Sequence, residues 1–63
     1  MKKTVVIVEK KTNKPVARYD VVMAGQNYVP SDAEYFKEAW RNATDDKVVD
    51  PNRKDDYSLA FAK

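Results

Sequence analysis

Two short segments near the start of the chain carry the hydrophobic pattern of β-strands. Residues 4–9 are rich in β-branched side chains and apolar on both faces, which favours a central strand. Residues 16–23 alternate between apolar and polar positions. Between them, Asn13 tolerates a left-handed backbone and Pro15 fixes φ. The pattern predicts a hairpin whose second strand lies at a sheet edge, where the missing amide of Pro15 is tolerated.

An amphipathic helix is predicted after residues 24–30, which contain the single glycine of the chain and are expected to form a loop. Ser31-Asp32-Ala33-Glu34 is a capping-box sequence, in which Ser31 and Glu34 each satisfy a backbone amide of the other. The helix should end at or before Thr44, because the carboxylates that follow are disfavoured at the negative end of the helix dipole. At 100° per residue, the apolar positions gather within about 60° of Phe36. This predicted buried face comprises Ala33, Phe36, Ala39, Trp40 and Ala43.

The end of the chain predicts a turn and a third strand. Asp50-Pro51-Asn52-Arg53 has the residue preferences of a type I turn. Tyr57, Leu59 and Phe61 alternate with small residues, as expected of a half-buried strand. The order is therefore strand, strand, helix, strand. We predict a single α+β domain over residues 1–63, with a ββαβ layout and a three-stranded antiparallel sheet ordered 2-1-3 under one helix.

Length and composition limit how this domain is stabilised. A chain of 63 residues buries only about 60% of its unfolded surface, so its core must be thin. The chain has no Cys and no His, which excludes disulfides and the usual zinc ligands. Small domains that lack these supports often gain stability from a partner subunit. We predict no cofactor and no metal, and a partner is the remaining support.

The residue types argue against an enzyme. General acid-base catalysis near neutral pH is most easily done by His, and a serine nucleophile needs an activating base beside it. One glycine cannot build a phosphate-binding loop. The acidic residues after the helix do not match a calcium loop, because Lys47 and Val49 would occupy ligand positions. We therefore expect a protein without catalytic activity.

Charge is distributed unevenly along the chain, and this distribution suggests an alternative function. Residues 1–18 hold six basic residues and one acidic residue, whereas the rest of the chain holds six basic and nine acidic residues. The basic residues of the hairpin could contact phosphates of a nucleic acid, as two-stranded ribbons do. Lysines at strand edges also prevent aggregation, which is their ordinary structural role. The candidate nucleic-acid contacts are Lys10, Lys11, Lys14 and Arg18.

Neither export nor membrane insertion is expected. The apolar run of residues 5–8 stops at Glu9, well short of the hydrophobic region of a signal peptide. No segment approaches the roughly 18 apolar residues of a membrane span. We therefore expect a cytoplasmic protein.

Protein binding is the leading functional interpretation. Tyr and Arg are favoured interface anchors, which makes Tyr28, Tyr35 and Arg41 candidate contact residues. If the helix covers one sheet face, the opposite face receives Val22 and Ala60. The same face receives Ser58, Ala62 and two residues of the 5–8 run. Such a weakly apolar surface could pack against a larger protein or against a second copy in a homodimer.

Two segments carry a resemblance to other proteins. Tyr35-Phe36-Lys37-Glu38-Ala39-Trp40-Arg41 and Asp50-Pro51-Asn52-Arg53-Lys54-Asp55-Asp56-Tyr57 resemble short uncharacterised proteins of bacteria and their phages. The resemblance covers roughly the C-terminal half and implies no catalytic residue. It implies a context in which tiny proteins act by binding, for instance by blocking a host enzyme or a CRISPR complex. A structural subunit of a larger assembly is a third class that the sequence does not separate from the first.

Overall fold

The computed structural model describes residues 2–22 and 30–62 and has the predicted α+β fold. The elements are β1 (Lys2–Glu9), β2 (Lys14–Val22), α1 (Asp32–Asp45), a 3₁₀ helix (Pro51–Asp56) and β3 (Tyr57–Phe61). The strands form one antiparallel sheet in the order β2-β1-β3, so the first strand is central as predicted. The predicted loop lies outside the described residues except for Pro30.

The hairpin between β1 and β2 has the predicted turn chemistry. Asn13 adopts a positive φ of 56°, and its N–H donates to the Glu9 carbonyl at 2.7 Å. Val8 lies opposite Pro15 whereas Ile7 lies opposite Ala17, so β2 has one extra residue between these two pairs. This bulge and the proline lie on an edge strand, where both interrupt further pairing.

The helix begins as predicted and ends slightly later. The capping box is present, and the Ser31 N–H donates to Glu34 Oε2 at 3.0 Å. The helix continues to Asp45, one residue beyond the predicted limit at Thr44. The Asp45 side chain is exposed, so water screens its repulsion from the helix dipole. The chain then reverses at Lys47, whose φ is 60°.

The core lies between α1 and the β1 and β2 strands. Val5 and Ile7 of β1 and Val21 of β2 are buried, and so are three helix residues spaced four apart. The predicted buried face is confirmed at Ala39 and Ala43, but its centre at Phe36 is wrong, because Ala33 is exposed and Phe36 and Trp40 are only half-buried. The buried helix face comprises Tyr35, Ala39 and Ala43. The small side chains of the two alanines let the helix approach the sheet closely.

The turn before β3 is confirmed and extends into the 3₁₀ helix. The Arg53 N–H donates to the Asp50 carbonyl at 2.9 Å, which is the hydrogen bond of a type I turn. The Asp50 side chain also accepts from the Asn52 N–H at 2.9 Å. At the other end of the 3₁₀ helix, the Asp56 carbonyl accepts from the Lys10 N–H at 2.9 Å. The turn is thereby tied to the hairpin tip.

Candidate functional site

One face of the sheet is the main candidate surface. The helix packs on the inner face, which carries Val5, Ile7 and Val21, and no other described helix or strand covers the opposite face. At the centre of that outer face, Val6 and Val8 of β1 remain partly exposed. We call it the outer face; its residues are Thr4, Val6, Val8, Arg18, Asp20, Val22, Ser58 and Ala60.

The predicted contact residues Val22 and Ala60 share the outer face but are not neighbours. Val22 is 61% exposed and pairs with Lys2, near one end of the hairpin. Ala60 is exposed and pairs with Val6, four residues further along β1. At about 3.3 Å per residue, these positions are separated by roughly 13 Å along the strand. The two residues could contact one partner only if that partner spans most of the face.

The charges on the outer face are arranged asymmetrically. Thr4 Oγ1 donates to Asp20 Oδ1 at 2.6 Å, and Lys2 Nζ lies 3.7 Å from Asp20 Oδ2. The Thr4 hydrogen bond, followed by the charge of Lys2, holds the pKa of Asp20 below its ordinary value. Arg18 acts on Asp20 at longer range and forms no ion pair within the described residues. Arg18 is exposed and pairs with Val6 in the strand register, so its guanidinium is available to an external anion.

The other predicted anchors do not join this face. Tyr35 is fully buried and packs against Val5 and Val21, so its prediction as a surface residue is wrong. The Tyr35 ring inserts between helix and sheet because small alanines follow it on the same helix face. Arg41 is exposed, but it belongs to α1 and lies on the other side of the sheet. Tyr28 lies outside the described residues.

The basic hairpin tip borders a cleft of mixed charge. Lys10, Lys11, Lys14 and Arg18 are all exposed, as a phosphate-binding role requires. A cleft of about 340 Å³ lies beside the first two of them. Its lining is Glu9, Lys10, Lys11, Arg53, Asp55 and Asp56. Three carboxylates thus face three cations, so the cleft has no net positive charge, and Arg53 is already paired with Asp56 at 2.7 Å.

Residues 2–22 and 30–62 contain no group of three or more side chains arranged to hold a metal ion. Within the same ranges, no helix combines the length and apolar character that crossing a bilayer requires.

A tyrosine and an aspartate link β2 to the end of α1. Tyr19 Oη donates to Asp46 Oδ2 at 2.8 Å. Partial burial, followed by the hydrogen bond and the negative charge of Asp46, raises the pKa of Tyr19 from 10.0 to about 12. The folded state therefore holds this proton more tightly than the unfolded chain does.

This linkage predicts a loss of stability at alkaline pH. Because the folded-state pKa of Tyr19 is the higher one, its stabilising contribution is complete below pH 10 and is lost as the pH rises from 10 to about 12. We expect the difference in melting temperature between the native chain and Tyr19→Phe to shrink over that interval. Thermal unfolding followed by circular dichroism at a series of pH values measures it. A difference that stays constant with pH would contradict the linkage.

The edge of the sheet beside β3 carries an apolar strip that the sequence patterns assigned to the core. Phe36 packs on Phe61 with ring centroids 4.7 Å apart, and Trp40 lies 5.6 Å from Tyr57. These rings and Leu59 are all only half-buried. The small residues Ala39 and Ala43 are the sequence signal that could have indicated that these larger side chains are only half-buried. We call it the aromatic strip; it comprises Phe36, Trp40, Tyr57, Leu59 and Phe61.

No protein-family model, no curated protein and no solved structure matches this chain.

Proposed function

We propose that the protein is a non-catalytic protein-binding module that covers a surface of a larger protein with its outer face. The observation that carries this proposal is an uncovered sheet face with aliphatic side chains at its centre and an exposed cation beside them. Val6 and Val8 form the centre, and Arg18 presents the cation. Arginine beside apolar side chains is a typical interface anchor.

The shape of the domain supports this use. The described fold has two layers, and its extents are 37 × 24 × 16 Å. Its accessible surface is 4738 Å², whereas a monomer of 7.3 kDa is expected to expose about 4,200 Å². A standard interface buries about 800 Å² per partner, which is roughly one sixth of this surface. A flat domain with one open face can supply such an area without rearrangement.

The chemistry of the face indicates the kind of partner. The aliphatic centre fits a flat apolar patch, and Arg18 fits a carboxylate at its border. The Asp20 carboxylate is satisfied internally by Thr4 and Lys2, so it does not oppose an acidic partner strongly. The resemblance of the C-terminal half to short bacterial and phage proteins motivates a further proposal, that the partner is a larger host protein complex which the module inhibits or modulates.

Matched variants test the outer face. Arg18→Glu with Val22→Lys alters exposed residues of the outer face. Arg41→Glu with Val48→Lys makes the same changes on exposed residues elsewhere, since Val48 is 45% exposed. Tagged forms of the native chain and both variants are used for pull-down from host lysate, with and without nuclease and at two salt concentrations. We expect the first variant to capture at least about tenfold less partner than the native chain and the second variant to capture an unchanged amount.

Either of two outcomes would overturn the proposal. If both variants capture the same protein equally, the outer face is not the binding surface. If the captured material is nucleic acid that salt releases, the basic hairpin is the functional site. In that case Lys10→Ala, Lys11→Ala and Lys14→Ala together should abolish the capture. Circular dichroism of each variant shows that a loss of binding does not come from unfolding.

A further inference from the structure

Among residues 2–22 and 30–62, no strand pairs with the outer edge of β3, and the main-chain groups of this free edge follow a defined pattern. Two hydrogen bonds flank the β1 and β3 pairing: Ala62 N–H to the Thr4 carbonyl and Lys10 N–H to the Asp56 carbonyl, both 2.9 Å. Hydrogen-bonded pairs alternate with non-bonded pairs in an antiparallel ladder. The residues between, Ser58 and Ala60, therefore direct their main-chain groups toward β1. It follows that the main-chain groups of Tyr57, Leu59 and Phe61 point away from β1, toward the free edge.

The two edges of the sheet differ in how they are protected. The β2 edge has Pro15, a bulge, and the charged residues Lys14 and Arg18, all of which discourage pairing with another strand. The β3 edge has the sequence Tyr-Ser-Leu-Ala-Phe, with no charge, no proline and no bulge. An unprotected neutral edge is suited to receiving a further strand.

The inner side of this edge is also incompletely covered. The helix packs mainly on β2 and β1 rather than on β3. For this reason Phe36 and Trp40 of the aromatic strip are only partly covered, although they contact β3 side chains. An added strand would place its inward side chains next to them and would bury apolar surface that the monomer leaves exposed.

We propose that two copies of this chain associate by pairing their β3 strands antiparallel about a twofold axis at Leu59. This register places Leu59 opposite Leu59, Tyr57 opposite Phe61 and Ser58 opposite Ala60. The Tyr57 N–H already donates to the Lys54 carbonyl, so the remaining outward groups form four intermolecular hydrogen bonds. The result is a continuous six-stranded sheet with both helices on the same face.

Side chains and charges favour a second copy in this orientation. In the proposed register, aromatic side chains meet aromatic side chains on the inner face and small side chains meet on the outer face, both of which are favourable cross-strand pairs. Asp55 and Asp56 directly precede β3. A parallel arrangement would place these acids beside their counterparts, whereas the antiparallel arrangement sends them to opposite ends. Pairing β3 with the β2 edge of another copy would meet Pro15 and the bulge.

This inference does not rest on the proposed function. The dimer joins the outer faces of two copies and would enlarge the binding surface, but it forms without any partner. The outer face is tested by capture of a partner, whereas the dimer is tested by the mass of the purified chain in the absence of any partner. Failure of one proposal is therefore distinguishable from failure of the other.

Charge placement at Ser58 and Ala60 tests both the association and its register. Both side chains are exposed in the monomer, so substitution leaves the core intact. In Ser58→Lys with Ala60→Lys, lysines meet lysines across the twofold axis. In Ser58→Lys with Ala60→Glu, each lysine meets a glutamate. Analytical ultracentrifugation over about 1 µM to about 1 mM covers the range in which small interfaces dissociate.

We expect the native chain to change from 7.3 kDa toward twice that mass with increasing concentration. The lysine-lysine variant should dimerise at least about tenfold more weakly, and the lysine-glutamate variant should dimerise as well as the native chain. A native chain that stays monomeric throughout overturns the proposal, as does equal behaviour of the two variants.

Amide hydrogen exchange gives a second readout without substitution. The Leu59 and Phe61 amides should exchange rapidly in dilute solution and slow down as the dimer forms, whereas the Ala60 amide should be protected at all concentrations. Exchange at Leu59 that is independent of concentration would contradict the pairing.

Discussion

Replacement of Tyr35 by alanine is expected to unfold most of the protein at 25 °C. The Tyr35 ring is fully buried, packs against Val5 and Val21, and meets the Phe61 ring edge-on at a centroid distance of 6.0 Å. Truncation of a buried aromatic side chain to alanine costs about 3–5 kcal/mol. A domain of this size has a net stability of about the same amount. Urea denaturation followed by circular dichroism measures the loss.

Tyr35→Phe is the matched control and has the opposite expected sign. Among the described residues, the Tyr35 hydroxyl is buried without a hydrogen-bond partner. Removing a buried polar group that lacks a partner relieves a desolvation penalty, so Tyr35→Phe should raise the free energy of unfolding by about 1 kcal/mol. A clear destabilisation by Tyr35→Phe would show that the hydroxyl has a partner and that the ring is not held by packing alone.

Much of the fold was predictable because its signals are local. The β-branched run at 4–9, the turn residues Asn13 and Pro15, and the capping box at Ser31 each act on their immediate neighbours. Each is confirmed by the structure. Strand order follows from these elements, since a helix that crosses over a central first strand is the compact solution.

The rotation of the helix was not predictable from hydrophobicity alone. Phe36 and Trp40 are the larger apolar residues, and a hydrophobic face drawn around Phe36 leaves Tyr35 at its margin. The structure instead turns Tyr35, with two alanines, toward the sheet. The rotation of the helix is decided by the distance between helix and sheet, which small residues shorten. This distance is a property of the assembled layers and is not encoded in the helix sequence alone.

The same limit explains the outcome at the candidate site. The alternation of β2 placed Val22 on the outer face correctly, since strand periodicity fixes the face of each side chain. The error at Tyr35 followed from the helix rotation. The outward direction of the Tyr57, Leu59 and Phe61 main-chain groups was visible only from the hydrogen bonds between β1 and β3. Strand order 2-1-3 makes β3 an edge, but its exposure depends on where the helix packs.

Two glutamate substitutions on α1 should separate these helix orientations with a large effect. Ala39 is fully buried in an apolar cluster with Val5, Val21 and Tyr35, and no described buried residue is polar or charged, so Ala39→Glu would place a carboxylate among apolar side chains. Burying an unpaired charge costs several kcal/mol, which exceeds the expected net stability, and we expect an unfolded chain. Ala33 is exposed in the first turn, so Ala33→Glu should gain about 0.3–1 kcal/mol from the helix dipole. Both variants are compared by thermal unfolding. Similar effects at the two positions would support the helix orientation centred on Phe36 instead.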